Sequence, residues 1–80
     1  MKPSAITYSL ANAFAQTDGH DEVIYETNYG DYLAYYVHDK VLDKTIYGVP
    51  SFVLVDKHYH CRYSTRSESY EIIDKKKQNN

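Results

Sequence analysis

The residues best suited to chemistry stand together in the second half of the chain, where His58, His60 and Cys61 fall within four positions. Imidazole and thiolate groups bind zinc, and a histidine beside a cysteine can act as the base that activates a nucleophile. Along an extended strand, however, successive side chains point to opposite faces, so Cys61 and the two histidines cannot all reach one ion. The sequence also has no second cysteine, no glycine-rich phosphate loop and no nucleophile elbow. It therefore predicts surface histidines beside a packed, unreactive thiol, and neither an enzyme nor a cofactor.

A second group of ionisable residues surrounds His20, with Asp18, Asp21 and Glu22 close by. Carboxylates at this spacing suggest a metal site, but the stretch lacks the alternating oxygen ligands and the terminal glutamate of a calcium loop. Zinc would need further ligands from elsewhere in the chain. Since Asp18-Gly19 is a turn dipeptide, the sequence favours a solvated turn here and no metal site.

Recognition chemistry is better represented, because the 80 residues include ten tyrosines and no tryptophan. Tyrosine offers a large contact area with only two side-chain torsions to order, and it is enriched at the energetic centres of protein interfaces. Strand alternation through residues 32–38 would turn Leu33, Tyr35 and Val37 to the core and the remaining tyrosines to the other face. The predicted partner-binding residues are Tyr29, Tyr32, Tyr36 and Tyr47, bordered by Asp31, Asp39 and Asp43. In the alternative interpretation, a second layer, a homodimer or the C-terminal segment covers these rings.

Charge is distributed unevenly along the chain, whose formal net charge is −2. Residues 1–39 carry six acidic side chains and one lysine, whereas residues 40–80 carry eight basic side chains and five acidic ones. The acidic residues would favour a partner protein with a basic surface, in an interaction that weakens as salt rises. The basic half indicates an alternative function, nucleic-acid binding, with tyrosines as stacking platforms. The residues assigned to phosphate contacts in that alternative are Arg62, Arg66, Lys75, Lys76 and Lys77.

The elements that must position these residues begin with a helix over residues 4–16. Ser4 can cap this helix, and apolar side chains recur in it at helical spacing. Ile6, Leu10, Ala13 and Phe14 form the stripe that should cover a sheet, and the alanines at 5, 11, 13 and 15 should let the helix approach it closely.

Two hairpins should form that sheet. In the first, residues 23–28 and 32–38 flank a turn, and Val23, Tyr25 and Thr27 share one face. A helix that begins at Asp31 is the competing interpretation of the second of these segments. In the second hairpin, residues 51–55 pair with residues 59–63 across a two-residue loop. This pairing sets one face as Phe52, Leu54, Tyr59, Cys61 and Tyr63.

The second hairpin turn contains no glycine, so its tight loop requires a positive φ at Asp56, Lys57 or His58. After a loop at 64–67, residues 68–73 favour a last strand, with a short helix capped by Ser67 as the alternative. Residues 75–80 are basic and polar, and we expect a disordered tail there.

Together these elements predict a single α+β domain over residues 1–74, with one N-terminal helix packed on a small antiparallel sheet of three to five strands. The expected core is Ile6, Leu10, Phe14, Phe52 and Leu54. The function we expect is non-enzymatic protein binding, by a stoichiometric inhibitor of a larger partner such as phages and mobile elements produce. The N-terminal stretch is too polar for a signal peptide, and no stretch approaches the roughly 20 apolar residues of a membrane span. We therefore expect a cytoplasmic protein that does not bind membranes, either monomeric or homodimeric.

Overall fold

The computed structural model of the protein describes residues 1–39 and 50–78. The elements in this part, in chain order, are α1 (Ala5–Thr17), β1 (Glu22–Tyr29), β2 (Tyr32–His38), β3 (Phe52–Val55), β4 (Cys61–Tyr63) and α2 (Arg66–Gln78). The four strands form one antiparallel sheet in the order β1-β2-β3-β4. The predicted α+β class, with an N-terminal helix on a small antiparallel sheet, is confirmed. The competing helix through residues 32–38 is wrong, because these residues form β2.

Helix α1 begins after Ser4, as predicted. The Ser4 hydroxyl accepts the backbone N–H of Thr7 at 3.2 Å, and Thr7 Oγ1 accepts the backbone N–H of Ser4 at 2.9 Å. This reciprocal pair is a capping box, which satisfies two backbone donors at the start of the helix. Thr7 Oγ1 also lies 2.7 Å from the hydroxyl oxygen of Tyr35 in β2. The buried threonine is thereby hydrogen-bonded, and it ties the first turn of α1 to the centre of the sheet.

The side of α1 that covers the sheet differs from the predicted one. Its buried residues are Thr7, Ala11 and Ala15. Ile6 is 58% exposed, and Leu10 and Phe14 are half-buried. The two stripes differ by one residue, which is about 100° of rotation around the helix axis. Small side chains let the helix backbone approach the sheet closely, so the larger apolar residues lie on the flank of the contact.

The first hairpin forms in the predicted place, with Val23 opposite Val37 and Tyr25 opposite Tyr35. The prediction for Thr27 is wrong. A register shift between Tyr25 and Thr27 inserts one extra residue into β1, so Thr27 pairs with Ala34 and lies on the opposite face.

The second hairpin also forms, but its predicted register is wrong. Val55 lies opposite Cys61 and Leu54 opposite Arg62, so Phe52 and Leu54 do not share a face with Cys61. The backbone N–H of Asp56 donates to the His60 carbonyl at 3.0 Å, which leaves a loop of three residues where two were expected. One extra loop residue moves every side chain of the partner strand to the other face. The positive φ, 68°, falls on the last loop residue, Tyr59, as is usual for three-residue hairpin loops.

Residues 66–78 form a helix, so the predicted last strand is wrong. The helix starts at a capping box in which Thr65 Oγ1 accepts the N–H of Glu68 at 3.2 Å and Glu68 Oε1 accepts the N–H of Thr65 at 2.9 Å. Thr65, rather than Ser67, is therefore the cap. Helix α2 continues through the three consecutive lysines, where the sequence predicted a disordered tail, up to Gln78.

The two helices cover opposite faces of the sheet and produce two core clusters. The buried residues of the α1 cluster are Ala11, Ala15, Val23, Leu33, Tyr35, Val53 and Val55. The buried residues of the α2 cluster are Ala34, Phe52, Leu54 and Ile72. Phe52 and Leu54 are thus core residues, as predicted, but they pack beneath α2 and not beneath the N-terminal helix.

Candidate protein-binding surface

The predicted tyrosine face of the sheet is the face on which α2 packs. Tyr29, Tyr32 and Tyr36 are half-buried beside Ile72 and Ile73 of that helix. The alternative in which the C-terminal segment covers these rings therefore describes the molecule better than an open aromatic face. Only part of each ring is therefore accessible to a partner.

Polar contacts hold α2 on this face. The Tyr29 hydroxyl donates a hydrogen bond to Glu71, which raises the pKa of Tyr29 to about 12. The Arg62 guanidinium donates two hydrogen bonds of 2.8 Å to the Glu68 carboxylate and lies 4.8 Å from the centre of the Tyr32 ring. These charge-assisted bonds lower the pKa of Glu68 to about 2 and raise the pKa of Arg62. The first turn of α2 is thereby fastened to β4.

An open groove of about 590 Å³ lies where the two hairpin turns meet the first turns of α2. Its lining residues are Tyr29, Gly30, Asp31, Tyr32, Asp56, Lys57, His58 and Glu68. Three predicted partner-binding residues, Tyr29, Asp31 and Tyr32, meet here because β1 and β2 join at this turn. We call this the turn groove.

The other predicted partner-binding residues are not in the turn groove. Tyr36 lies further along β2, with its ring centre 5.9 Å from that of Phe52. Asp39 follows β2 at the opposite end of the sheet, where it accepts hydrogen bonds from His20 Nδ1 and from the Asp21 backbone N–H, both at 2.9 Å. The bond from His20 is the main reason why the pKa of Asp39 is lowered. Asp43 and Tyr47 lie outside the described residues.

The β3–β4 turn contributes one wall of the groove and a feature that sequence reasoning missed. Asp56 Oδ1 accepts the backbone N–H groups of His58 at 2.8 Å and His60 at 2.9 Å, and the bond from His60 is the main cause of the lowered pKa of Asp56. The tightly hydrogen-bonded turn holds Tyr59 in the left-handed conformation with half of its surface exposed. Aromatic residues rarely adopt this conformation, and such strain concentrates at functional sites. The missing glycine in the turn was the available signal, but it did not single out Tyr59.

Most of the basic residues proposed to contact nucleic acid make contacts within the protein itself. Besides Arg62, which is paired with Glu68, Lys75 Nζ donates to the Asn28 carbonyl at 2.6 Å. Lys76 Nζ lies 3.5 Å from the Glu26 carbonyl oxygen and 3.6 Å from its carboxylate. Arg66 and Lys77 are exposed. This arrangement gives less support to a phosphate-binding surface than the sequence alone did.

Catalysis or metal binding would depend on the Cys61 thiol and on the histidine and acidic side chains. Cys61 is half-buried in the α1 cluster, and burial raises the pKa of its thiol, which opposes thiolate formation. Within residues 1–39 and 50–78, no three His, Cys, Asp or Glu side chains are arranged to hold a metal ion. No helix in that part is long and apolar enough to cross a membrane. Comparisons with protein-family models, with curated proteins and with solved structures found no match for the chain.

Proposed function

We propose that this chain is a small, non-enzymatic protein-binding module that acts stoichiometrically as an inhibitor of a larger partner with a basic surface. The observation that carries the proposal is the turn groove, where two tyrosine rings and an exposed carboxylate lie together. The exposed Tyr59 follows the lining residue His58 in the chain. Inhibitors of this kind are common among the small proteins of phages and mobile elements, and the likeness is one of size and not of sequence.

The lining of the groove suits a cationic side chain of the partner. Asp31 is exposed in the lining, and Asp56 adds a second carboxylate beside the positive charge of Lys57. The third carboxylate, that of Glu68, is already paired with Arg62. The Tyr32 ring already carries one guanidinium, that of Arg62, on its face. An arginine or lysine of a partner would find carboxylates and an aromatic rim in the same place, which is the chemistry that recognises such groups.

Substitutions at two exposed residues, Asp31 in the groove and Tyr59 in the adjoining turn, test the proposal without disturbing the core. Tyr59→Gly removes the ring and relieves the positive φ, so the fold should be as stable as before or more stable. Asp31→Lys reverses the charge at the rim, and Asp74→Lys, on the exposed side of α2, is its matched control. Replacing Tyr32 and Tyr36 together is a poorer test, because both rings pack against the α2 cluster.

The experiment is affinity capture from the native host with identification of the retained proteins, run with and without nuclease. We expect one retained protein, captured less as salt rises, and lost with Tyr59→Gly and Asp31→Lys but kept with Asp74→Lys. Capture that survives Asp31→Lys would refute the groove as the binding site, and capture that survives Tyr59→Gly would exclude the adjoining turn from it. Capture that disappears with nuclease, or with Arg66→Ala and Lys77→Ala, would favour the nucleic-acid function instead.

A further inference from the structure

Strand β4 forms one edge of the sheet and turns part of its backbone outward. In an antiparallel pair, residues alternate between those that exchange hydrogen bonds with the partner strand and those whose N–H and C=O groups point away. The bonds from Asp56 N–H to the His60 carbonyl and from Ser64 N–H to the Phe52 carbonyl fix this alternation for β3 and β4. The outward-pointing residues of β4 are therefore Cys61 and Tyr63.

Most of these outward groups have no partner in the described part of the chain. The Tyr63 carbonyl accepts a bond of 3.2 Å from Arg62 Nη1. The N–H and C=O of Cys61 and the N–H of Tyr63 make no hydrogen bond to residues 1–39 or 50–78. Two donors and an acceptor in a row are what an added strand requires.

An apolar stripe of α1 accompanies this edge. Ile6, Leu10 and Phe14 follow one another at four-residue spacing, and the Phe14 ring centre lies 5.0 Å from that of Tyr63 in β4. The stripe therefore runs along the flank of α1 that faces β4, and its exposure increases from Phe14 to Ile6, which is 58% exposed. Every second residue of a chain laid against β4 would point to the side of the sheet on which α1 and this flank lie.

We propose that the β4 edge, with the Ile6–Leu10–Phe14 stripe, binds an extended segment of a partner protein by strand addition. The inference rests on the proposed function in that the ligand is a protein, and it names a second surface and its mode of recognition. Alternate residues of the segment are apolar and pack on the α1 stripe. The residues between them are polar, because the other face of the edge carries the Arg62–Glu68 ion pair.

The size of the edge favours an extended segment over a second copy of this chain. Strand β4 has three residues, so two copies paired through β4 alone would share only a few hydrogen bonds. Stable interfaces bury roughly 1,200 to 2,000 Å² in total, much more than such a pairing supplies. A flexible segment, in contrast, can follow both β4 and the apolar flank of α1.

The test uses a random twelve-residue peptide library, selected on the immobilised full chain. The selected peptides should alternate apolar and polar residues. In the free protein the Cys61 and Tyr63 amide protons should exchange rapidly with solvent, and saturating a selected peptide should slow both. Ile6→Lys should weaken peptide binding about tenfold or more, because an anchor of this size is worth roughly that much. Tyr8→Lys, at an exposed aromatic residue on the opposite flank of α1, is the matched control and should change affinity little.

Each contrary outcome is distinct. If no peptide is selected, or if Ile6→Lys and Tyr8→Lys have equal effects, the strand-addition proposal is wrong. If the selected peptides shift only the resonances of Gly30, Asp31 and His58, the edge proposal fails while the turn groove stands. If Cys61 and Tyr63 are protected without peptide and sedimentation shows a dimer, the occupant is a second copy. Loss of host-protein capture with the groove variants, but not with Ile6→Lys, would leave the proposed function intact and reject the edge.

Discussion

The two edge strands of the sheet, β1 and β4, differ in how their outward-pointing backbone groups are satisfied. On β1, Asn12 Oδ1 accepts the N–H of Val23 at 3.1 Å, and Lys75 and Lys76 approach the carbonyls of Asn28 and Glu26. A bulge interrupts the same strand. On β4, the Tyr63 carbonyl accepts a bond from the Arg62 side chain, and the other outward groups of Cys61 and Tyr63 have no partner among the described residues.

This difference follows from the way the two helices cross the sheet. The flank of α1 that carries Asn12 lies over β1, and α2 ends over β1 as well, which brings its lysines to that edge. The helices that cover the two faces therefore also close one edge. Lysines, bulges and side-chain caps are the usual means by which proteins prevent unwanted strand pairing. Among residues 1–39 and 50–78, such features lie on the β1 edge, and on the β4 edge only the Arg62 side chain caps an outward group. This contrast supports the proposal that a strand is added at β4.

Removing α2 from the sheet should have the largest effect on this contrast. Ile72 is fully buried, and Ile72→Ala should lower the free energy of unfolding by about 2 to 5 kcal/mol. The loosened helix would withdraw its lysines from β1, so the closed edge should also begin to self-associate. Urea unfolding and concentration-dependent sedimentation measure the two effects. Tyr70→Ala, at an exposed position of the same helix, should change neither.

The Arg62–Glu68 pair should make the docking of α2 sensitive to acid. The pKa of Glu68 is lowered from 4.5 to about 2, so its carboxylate stabilises the fold above about pH 4.5. That stability is lost as the pH falls from about 4.5 towards 2, because the unfolded state then binds the proton first. Glu68→Gln should remove this part of the pH dependence and leave a protein that is less stable at pH 7. The measurement is the urea midpoint from pH 7 to pH 2, with Asp74→Asn as control. Parallel curves for Glu68→Gln and the wild type would contradict the assignment.

Removing the Asn12 hydrogen bond at the start of β1 should lower the free energy of unfolding by a smaller amount. Asn12→Ala leaves the Val23 N–H without its side-chain acceptor, which we expect to cost about 1 kcal/mol. The Val23 amide should also exchange faster with solvent, because β1 becomes more like β4 there. Ser9→Ala, at an exposed site of α1, is the control. Unchanged exchange at Val23 would mean that Asn12 does not protect the edge.

Lys75 and Lys76, which contact carbonyls of β1, should contribute least to the free energy of unfolding and more to the prevention of self-association. Replacing Lys75 and Lys76 with alanine should change the free energy of unfolding by no more than about 1 kcal/mol, because lysine contacts near the surface contribute little. Sedimentation at high concentration should nevertheless show more self-association than in the wild type. A monomer at all concentrations would indicate that the bulge and Asn12 suffice to close β1.

Local signals in the sequence determined most of the elements. The Ser4 cap, the turn at Gly30 and the alternation through β2 each depend on residues close together in the chain, so α1 and the first hairpin were predictable. The Thr65–Glu68 capping box is also a local signal and could have predicted α2. The prediction failed because the apolar residues of 68–73 favoured a strand. The meeting of Tyr29, Asp31 and Tyr32 in one groove was partly predictable, because a hairpin turn brings them together.

Only the tertiary structure decided which face each side chain covers. Phe52, Val53, Leu54 and Val55 are all apolar, so no alternation specified a register, and one extra loop residue at Tyr59 reversed the expected faces. A continuous apolar strand is typical of a sheet buried on both sides, which is what α2 produces. The side of α1 that packs was likewise chosen by close approach of its alanines and not by its largest residues. The β3–β4 register and the packed side of α1 depend on contacts between distant parts of the chain. A local sequence pattern does not determine the free energy of such contacts.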